Sequence, residues 1–275
     1  MTNMSAARTL YLMESVAEAE RLEAKTDRDV SLRHLKQVGL GPGMHALDAG
    51  AGTGAVARAM CELVGRDGQV VALDASSERL SFGSAAATDL PNLRFVEGDL
   101  EAPPLPEAQF DFIWSRFVFE YLRDPDLVLK QLVRLARPGG KVVVGDLDGN
   151  GFFHYPCPPE VEEGLALLEP SLAGRFDPYA GRKLYHRFRK AGLQDVRVHV
   201  LPYHLYAGPA GPGDMKNWEQ KFVMLRPIGI KALGGEAAWD RFVQGYLEML
   251  LDPDALTWSV LFLVEGTKIR GNSRE

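Results

Sequence analysis

Three acids and three glycines stand at spacings that could bind a charged nucleoside. Residues 46–59 read ALDAGAGTGAVARA, so Asp48 lies two positions before the first of three alternating glycines, Gly50, Gly52 and Gly54. Glycine tolerates left-handed backbone and lets a ligand approach the main chain closely. Alone, the glycines fit a phosphate cradle, an adenosyl pocket or a tight turn. Asp48 narrows the choice, because an acid there repels a pyrophosphate and suits a cationic ligand. Asp74 closes QVVALD, the place after a strand from which a carboxylate accepts both hydroxyls of a ribose. Asp99, in FVEGDLE, can accept from an adenine amino group while Leu100 offers its backbone N–H. The set wants a ribose and something other than a diphosphate.

Such residues need a strand–turn–helix framework, and the hydrophobic pattern supplies one. Short apolar runs at 44–50, 69–74, 93–99, 110–116 and 141–146 read as buried strands. Between them lie helical stretches at 55–65, at 76–87 with Ser76 as N-cap, and around Leu127, Leu132 and Leu135. Strands this apolar are covered on both faces, which means a parallel sheet with helices on each side. After Asp146 the pattern changes to an irregular aromatic loop at 149–159, then helices at 160–169 and 178–191. Residues 195–206 alternate with period two, 214–251 are helical, and 257–268 close the chain as a strand. The expected fold is α/β: a Rossmann-like seven-stranded sheet, mostly parallel, with a C-terminal antiparallel strand and helical insertions forming a lid. One domain spans 1–275. Residues 1–40 make an N-terminal helical lid, with an amphipathic helix at about 8–25. Residues 41–148 form the cofactor-binding core, and 149–192 and 207–256 the acceptor-side insertions.

The ordered set LDAGAGTG, VVALD, VEGDLE, FDFIWSRFVFEYL and LARPGGKVVV resembles the class I S-adenosylmethionine-dependent methyltransferases of the UbiE-like, small-molecule type, closely over residues 43–147. The resemblance implies S-adenosylmethionine as cofactor. It places the Gly50–Gly54 loop against the methionyl part, with Asp48 ordering that loop and the amino group. Asp74 then takes the ribose hydroxyls, and Asp99 and Leu100 hold the adenine. Ser115, Arg116 and Phe117 lie beside the sulfonium and carboxylate, and Tyr11 and Arg21 belong to an N-terminal segment folding over the cofactor.

The acceptor is expected over the carboxyl edge of the sheet, among Phe152, Phe153, Tyr155, Tyr203, Tyr206, Trp218 and Phe222, which suit a flat or hydrophobic small molecule. His154 and His204 are the candidate bases. Glu120 and Tyr121 stand where many small-molecule members carry a histidine pair, so no base is borrowed from that position. The run DLDGN (Asp146, Asp148, Asn150) is similar to the magnesium-dependent catechol type. That type also needs an acid at the end of strand four, where Ser115, Arg116 and Phe117 stand instead. No metal is expected, and DLDGN reads as a turn.

Composition sets the outer limits. A net charge of −6 gives no basic footprint for nucleic acid or an anionic membrane surface. No apolar run approaches the ~18 residues of a bilayer span, and the glutamate-rich start lacks a signal-peptide pattern, so a cytoplasmic monomer or homodimer is expected. Cys61 and Cys157 belong to no metal or disulfide pattern. The expected activity is methyl transfer to a small metabolite of secondary metabolism or quinone-type biosynthesis. Two rivals remain: an NAD(P)-dependent oxidoreductase, because Gly50-x-Gly52-x-x-Ala55 meets the relaxed dinucleotide fingerprint, and a protein that binds the cofactor without transferring methyl.

Overall fold

A computed structural model describes Glu23 and residues 26–269, so Tyr11, Arg21 and the expected helix at 8–25 fall outside the described residues, Glu23 excepted. Strands β1 (His45–Ala49), β2 (Gln69–Asp74), β3 (Leu93–Glu97), β4 (Phe110–Arg116), β5 (Ala136–Tyr155), β6 (Gln194–Ala207) and β7 (Leu256–Thr267) form one sheet in the order β3-β2-β1-β4-β5-β7-β6. The β1–β2, β2–β3, β1–β4 and β4–β5 pairs are parallel, and β7 runs antiparallel to both β5 and β6. The strand order reverses between β1 and β4. In open α/β sheets that reversal opens a crevice at the carboxyl ends of the strands, where ligands bind. Asp48 pairs with Ala72 on one side and Trp114 on the other, so it stands at that crevice.

Helices α1 (Arg28–Gln37) and α2 (Ala55–Val64) cover one face, where Leu35, Met60, Ala46 and Trp114 are buried together. On the opposite face, α4 (Pro125–Leu135) packs Leu129 and Leu132 on Leu47, Ile113 and Val144. Asp124 starts α4 by accepting the Leu127 N–H at 2.9 Å, and Ser76 starts α3 (Ser77–Ala85) by accepting the Arg79 N–H at 3.3 Å. Above the carboxyl edge, α5 (Pro159–Ser171), α7 (Pro212–Leu233) and α8 (Glu236–Leu251) bury a second core of Leu168, Trp218, Phe222, Trp239, Phe242 and Tyr246. No described helix is long and apolar enough to cross a membrane.

Two expectations need correction. The stretch 149–159 is not an irregular loop throughout, because β5 continues to Tyr155. Its pairing with β7 shifts register between Asp148 and Phe153, then resumes at Phe153↔Trp258 and Tyr155↔Leu256. Gly149 and Gly151, at φ +73° and +81°, absorb the interruption as a bulge instead of ending the strand. Helix α6 (Ala180–Lys190) lies inside the segment expected on the acceptor side, yet its Leu184 and Phe188 are buried in the sheet core under β5 and β7. Gly181 permits this approach, since a Cβ there would meet the Asp146 carbonyl oxygen at 2.7 Å.

Phe188 is fully buried, so Phe188→Ala should cost about 3–5 kcal/mol in urea unfolding. A loss below about 1 kcal/mol would mean that α6 is peripheral to the sheet.

Candidate active site

The turn from β1 into α2 is held mostly by backbone. Gly50 and Ala51 N–H both donate to the Leu73 carbonyl, at 2.8 and 2.9 Å, and Gly54 N–H donates to the Ala51 carbonyl at 2.8 Å. The three glycines take left-handed φ values of +78°, +56° and +71°. A Cβ at Gly50 would lie 2.5 Å from Val118 Cγ2, and one at Gly54 would lie 2.6 Å from Phe95 Cε1. This corrects the reading of Gly50 as a gap kept open for ligand: its missing side chain makes room for the turn after β4. The loop is also pressed from outside, because a Cβ at Gly83 of α3 would fall 1.8 Å from the Thr53 carbonyl oxygen.

Asp74 ties three elements together. Its Oδ2 accepts the Gly52 N–H at 2.7 Å, while Oδ1 accepts the Ser76 N–H at 2.9 Å and the Arg79 guanidinium at 2.8 Å. A carboxylate offers about four acceptor sites, so three are engaged within the chain. Asp99, past the end of β3, is exposed, and its Oδ1 accepts the Glu101 N–H at 2.9 Å in a tight turn, while Leu100 beside it is buried.

Asp48 is 3% exposed. It accepts the Ala57 N–H, serving the start of α2, whose N-cap Gly54 has no side chain to do so. Its Oδ2 is buried without a hydrogen-bond partner. Burial pushes its pKa up to about 7, with Asp74 adding to the shift and Arg116 and the Ala57 bond opposing it. A buried acceptor without a partner fits a cationic group such as the ammonium of the expected cofactor, and would oppose a pyrophosphate. Arg116 reaches the same side, with its guanidinium 5.0 Å from the Phe117 ring centre. Burial lowers its pKa, against the pull of Tyr203 and Asp48. His34 of α1 is close by, held low by burial and then by Arg116 and Arg33. Ser115 does not join them, because strand alternation turns it to the opposite face, where its Oγ is buried without a partner.

Further along the carboxyl edge, a cavity of about 100 Å³ opens between the helical core and the β5 bulge, walled by Tyr121, Asn150, Phe152, Leu168, Trp218 and Tyr246. Asn150 Oδ1 is buried there without a partner. His154 is engaged at both ring nitrogens. Its Nδ1 lies 2.9 Å from Thr257 Oγ1 and its Nε2 3.1 Å from the Gly151 carbonyl, and burial lowers its pKa to about 4. With the Tyr246 hydroxyl on the same carbonyl at 3.2 Å, it fixes the bulge. His204 is placed differently: its ring lies 4.4 Å from Tyr203 and 5.7 Å from Trp218 of the cavity wall. Tyr203 in turn lies 5.3 Å from Phe117, at the end of β4.

The acids of DLDGN are engaged elsewhere. Arg182 donates Nε and a terminal nitrogen to Asp148 at 2.7 and 2.6 Å, and Asp146 accepts the N–H groups of Glu120 and Leu147 at 3.1 and 2.9 Å. Burial, then the nearby Glu120 carboxyl, raise Asp146 well above the usual carboxylate range. Sequence reasoning missed this pair and the lone Asn150 acceptor. The acid-rich run was visible, but the partners that define its role lie on other elements.

Asp74→Ala removes the acceptor of three donors, and should destabilise the chain by about 1–3 kcal/mol and weaken S-adenosylmethionine about tenfold or more. Unfolding and titration calorimetry read the two effects, and an unchanged affinity would remove the ribose from Asp74. Asp48 should also make stability depend on pH. Its folded pKa is raised, so its contribution is fully present below the unfolded value near 3.8 and is lost as pH rises through about 7. Asp48→Asn should flatten this window in a pH series of unfolding curves.

A methyltransferase domain model matches residues 47–144. A demethylmenaquinone methyltransferase of Shouchella clausii is 36% identical over 184 residues, covering 60% of this chain and 76% of that protein. A ubiquinone/menaquinone biosynthesis C-methyltransferase UbiE of a Shewanella species is 35% identical over 116 residues, 41% of this chain and 46% of its own length. The chain thus matches under half of that second relative. A SAM-dependent methyltransferase of Aquifex aeolicus has the same fold, with a TM-score of 0.55 at 19% identity over 94% of this chain and 100% of that one. With the relative from Shouchella matched over three quarters of its length, the chain belongs to the class I S-adenosylmethionine-dependent methyltransferases, of the UbiE-like small-molecule type.

Proposed function

We propose that this methyltransferase acts on a hydrophobic or aromatic small molecule lodged partly in the cavity beside the β5 bulge, with His204 as the base. The observation that carries this reading is the run of ring contacts Phe117–Tyr203–His204–Trp218, which leads from the end of β4 to the cavity wall. A cavity of about 150 Å³ holds a benzene molecule. One of about 100 Å³ takes a small ring or a short apolar chain, and leaves the rest of an acceptor outside. The names of the relatives point to demethylmenaquinone and to quinone biosynthesis, and a quinol-type ring with an apolar substituent is compatible with that division.

Bound S-adenosylmethionine supplies a methyl group on a sulfonium, an excellent leaving group in an in-line displacement. What remains for the chain is alignment, exclusion of water and removal of a proton. Asp48 holds the ammonium with its partnerless oxygen, and Arg116 the carboxylate. Asp74 takes a ribose hydroxyl at its remaining acceptor site, or both if Arg79 yields its place. Asp99 and the Leu100 N–H bracket the adenine, and Gly52 and Gly54 keep the loop backbone near the methionyl part. Trp218, Phe152 and Tyr246 exclude water around the acceptor, and Asn150 Oδ1 accepts an O–H or N–H from it.

A metabolite screen for a +CH2 product, read by mass spectrometry, identifies the acceptor and tests the reading directly. Once the acceptor is known, His204→Ala should cost about 10²–10⁴ in rate with S-adenosylmethionine affinity unchanged. His154→Ala should instead lower stability and leave the chemical step nearly intact. A His204→Ala enzyme turning over at the parental rate would remove His204 from the chemistry.

A further inference from the structure

The two faces of β7 differ in what covers them. Thr257, Ser259, Leu261 and Leu263 are buried, and His154, paired with Thr257, reaches Tyr246 of the helical cap. The alternate residues Leu256, Trp258, Val260 and Phe262 stay exposed or half-buried, until Val264 enters the core under Leu184 and Phe188 of α6. Opposed residues of an antiparallel pair share a face, so the register adds Tyr155 beside Leu256 and Val200 beside Phe262. Tyr155 is 75% exposed and Val200 60%. Tyr155, expected beside the acceptor, therefore stands on the face away from the cap. Helix α6 leaves this strip open because it begins only at Ala180, with Gly181 against Phe262. Apolar surface this continuous, across three adjacent strands, marks an interaction site.

The rim of the strip carries charge of one sign. In a chain of net charge −6, α6 holds Arg182, Lys183, Arg187, Arg189 and Lys190 and no acid. Asp148, the partner of Arg182, is buried, and Asp177 and Asp126 are more recessed than the lysines they bind, Lys183 and Lys190. Arg189 has no acidic partner among the described residues. Arg187 turns to Asp126 of α4, so Tyr185, about 200° round the helix from it, lies on the flank toward β6. Tyr185 is 50% exposed, with Arg182 and Arg189 as its neighbours three positions before and four after. Net charge conceals this asymmetry, because a sum carries no position.

We propose that the open face of β5, β6 and β7, with the outer side of α6, docks this methyltransferase on an anionic lipid bilayer. Tyrosine and tryptophan settle at headgroup depth, and basic side chains near the surface add electrostatic attraction. A second copy would instead set one basic rim against another. Tyr179 packs on Phe153 of this face and on Phe152 of the cavity wall, with ring centres at 6.2 and 6.0 Å, so docking brings the cavity beside the membrane. Binding needs no acceptor, so this docking does not rest on the reading of the cavity.

The test is flotation of the full chain with vesicles of phosphatidylcholine alone, and of phosphatidylcholine and phosphatidylglycerol in equal parts. At low salt the chain should float with the mixed vesicles and not with phosphatidylcholine, and the bound fraction should fall as salt is raised. Arg189→Glu and Tyr155→Asp should each weaken binding about tenfold or more, with the unfolding midpoint unchanged. Should Tyr155→Asp fail to fold, Val200→Asp on β6 serves in its place. Sedimentation velocity without lipid reads self-association. Failure to float with the mixed vesicles, equal flotation with both, or variants that float like the parent overturns the proposal. A dimer that Tyr155→Asp dissociates assigns the face to a second copy, and overturns it as well.

Discussion

The carboxyl edge of the sheet is organised around one nearly buried carboxylate. Asp74 ends β2, receives the Gly52 N–H from the turn after β1, and anchors the start of α3 through Ser76 and Arg79. Bonds from charged acceptors to backbone N–H are stronger than neutral ones. Here they fix a turn whose glycines would otherwise add conformational freedom. Once the loop is fixed, α2 begins where Asp48 can reach the Ala57 N–H, and Val118 fills the space left open at Gly50. The turn after β4 is thus registered against the turn after β1.

From that second turn the arrangement extends to the acceptor side. Phe117 leaves β4 with a left-handed φ of +59° and meets Tyr203 of β6, while Tyr121 reaches the cavity and packs on Phe176. Asp146 braces the intervening residues by accepting the Glu120 N–H. Burial, then the nearby Glu120 carboxyl, raise the Asp146 pKa and so favour its protonated form, which reduces the cost of burying it. Buried charge therefore serves two ends of the crevice. Asp48 and Arg116 lie at the carboxyl ends of β1 and β4, and the Asp146 carboxylate supports the turn after β4 through the Glu120 N–H.

The helical cap has its own core, distinct from the two faces of the sheet. It rests on the bulged extensions of β5 and β6, through Phe152, His154, His204 and Tyr206. Irregular strand geometry shapes this region: one bulge brings Asn150 to the cavity, and the other turns the His204 ring toward Trp218. A regular ladder would have sent each residue to the face dictated by alternation.

The sequence by itself determined the alternating strands and helices, the turn at Gly50–Gly54, the acids at the ends of β1, β2 and β3, and the late strand pair. Each of these is written in local terms, by apolar period, turn residues or a cap within a few positions. Tertiary structure decided what each feature touches. The space at Gly50 and Gly54 belongs to Val118 in the turn after β4 and to Phe95 of β3, which only the sheet order brings near. The helical period of α6 marked an apolar face, but whether the sheet or the lid covers that face is not encoded in period. Phe153, His154 and Tyr155 read as loop because glycines precede them, and only pairing with β7 carries the strand past that interruption. The two histidines were equivalent as letters. Their surroundings differ because Thr257 stands 103 residues from His154 and Ser259 stands 55 residues from His204, and each ring's partner is delivered by folding.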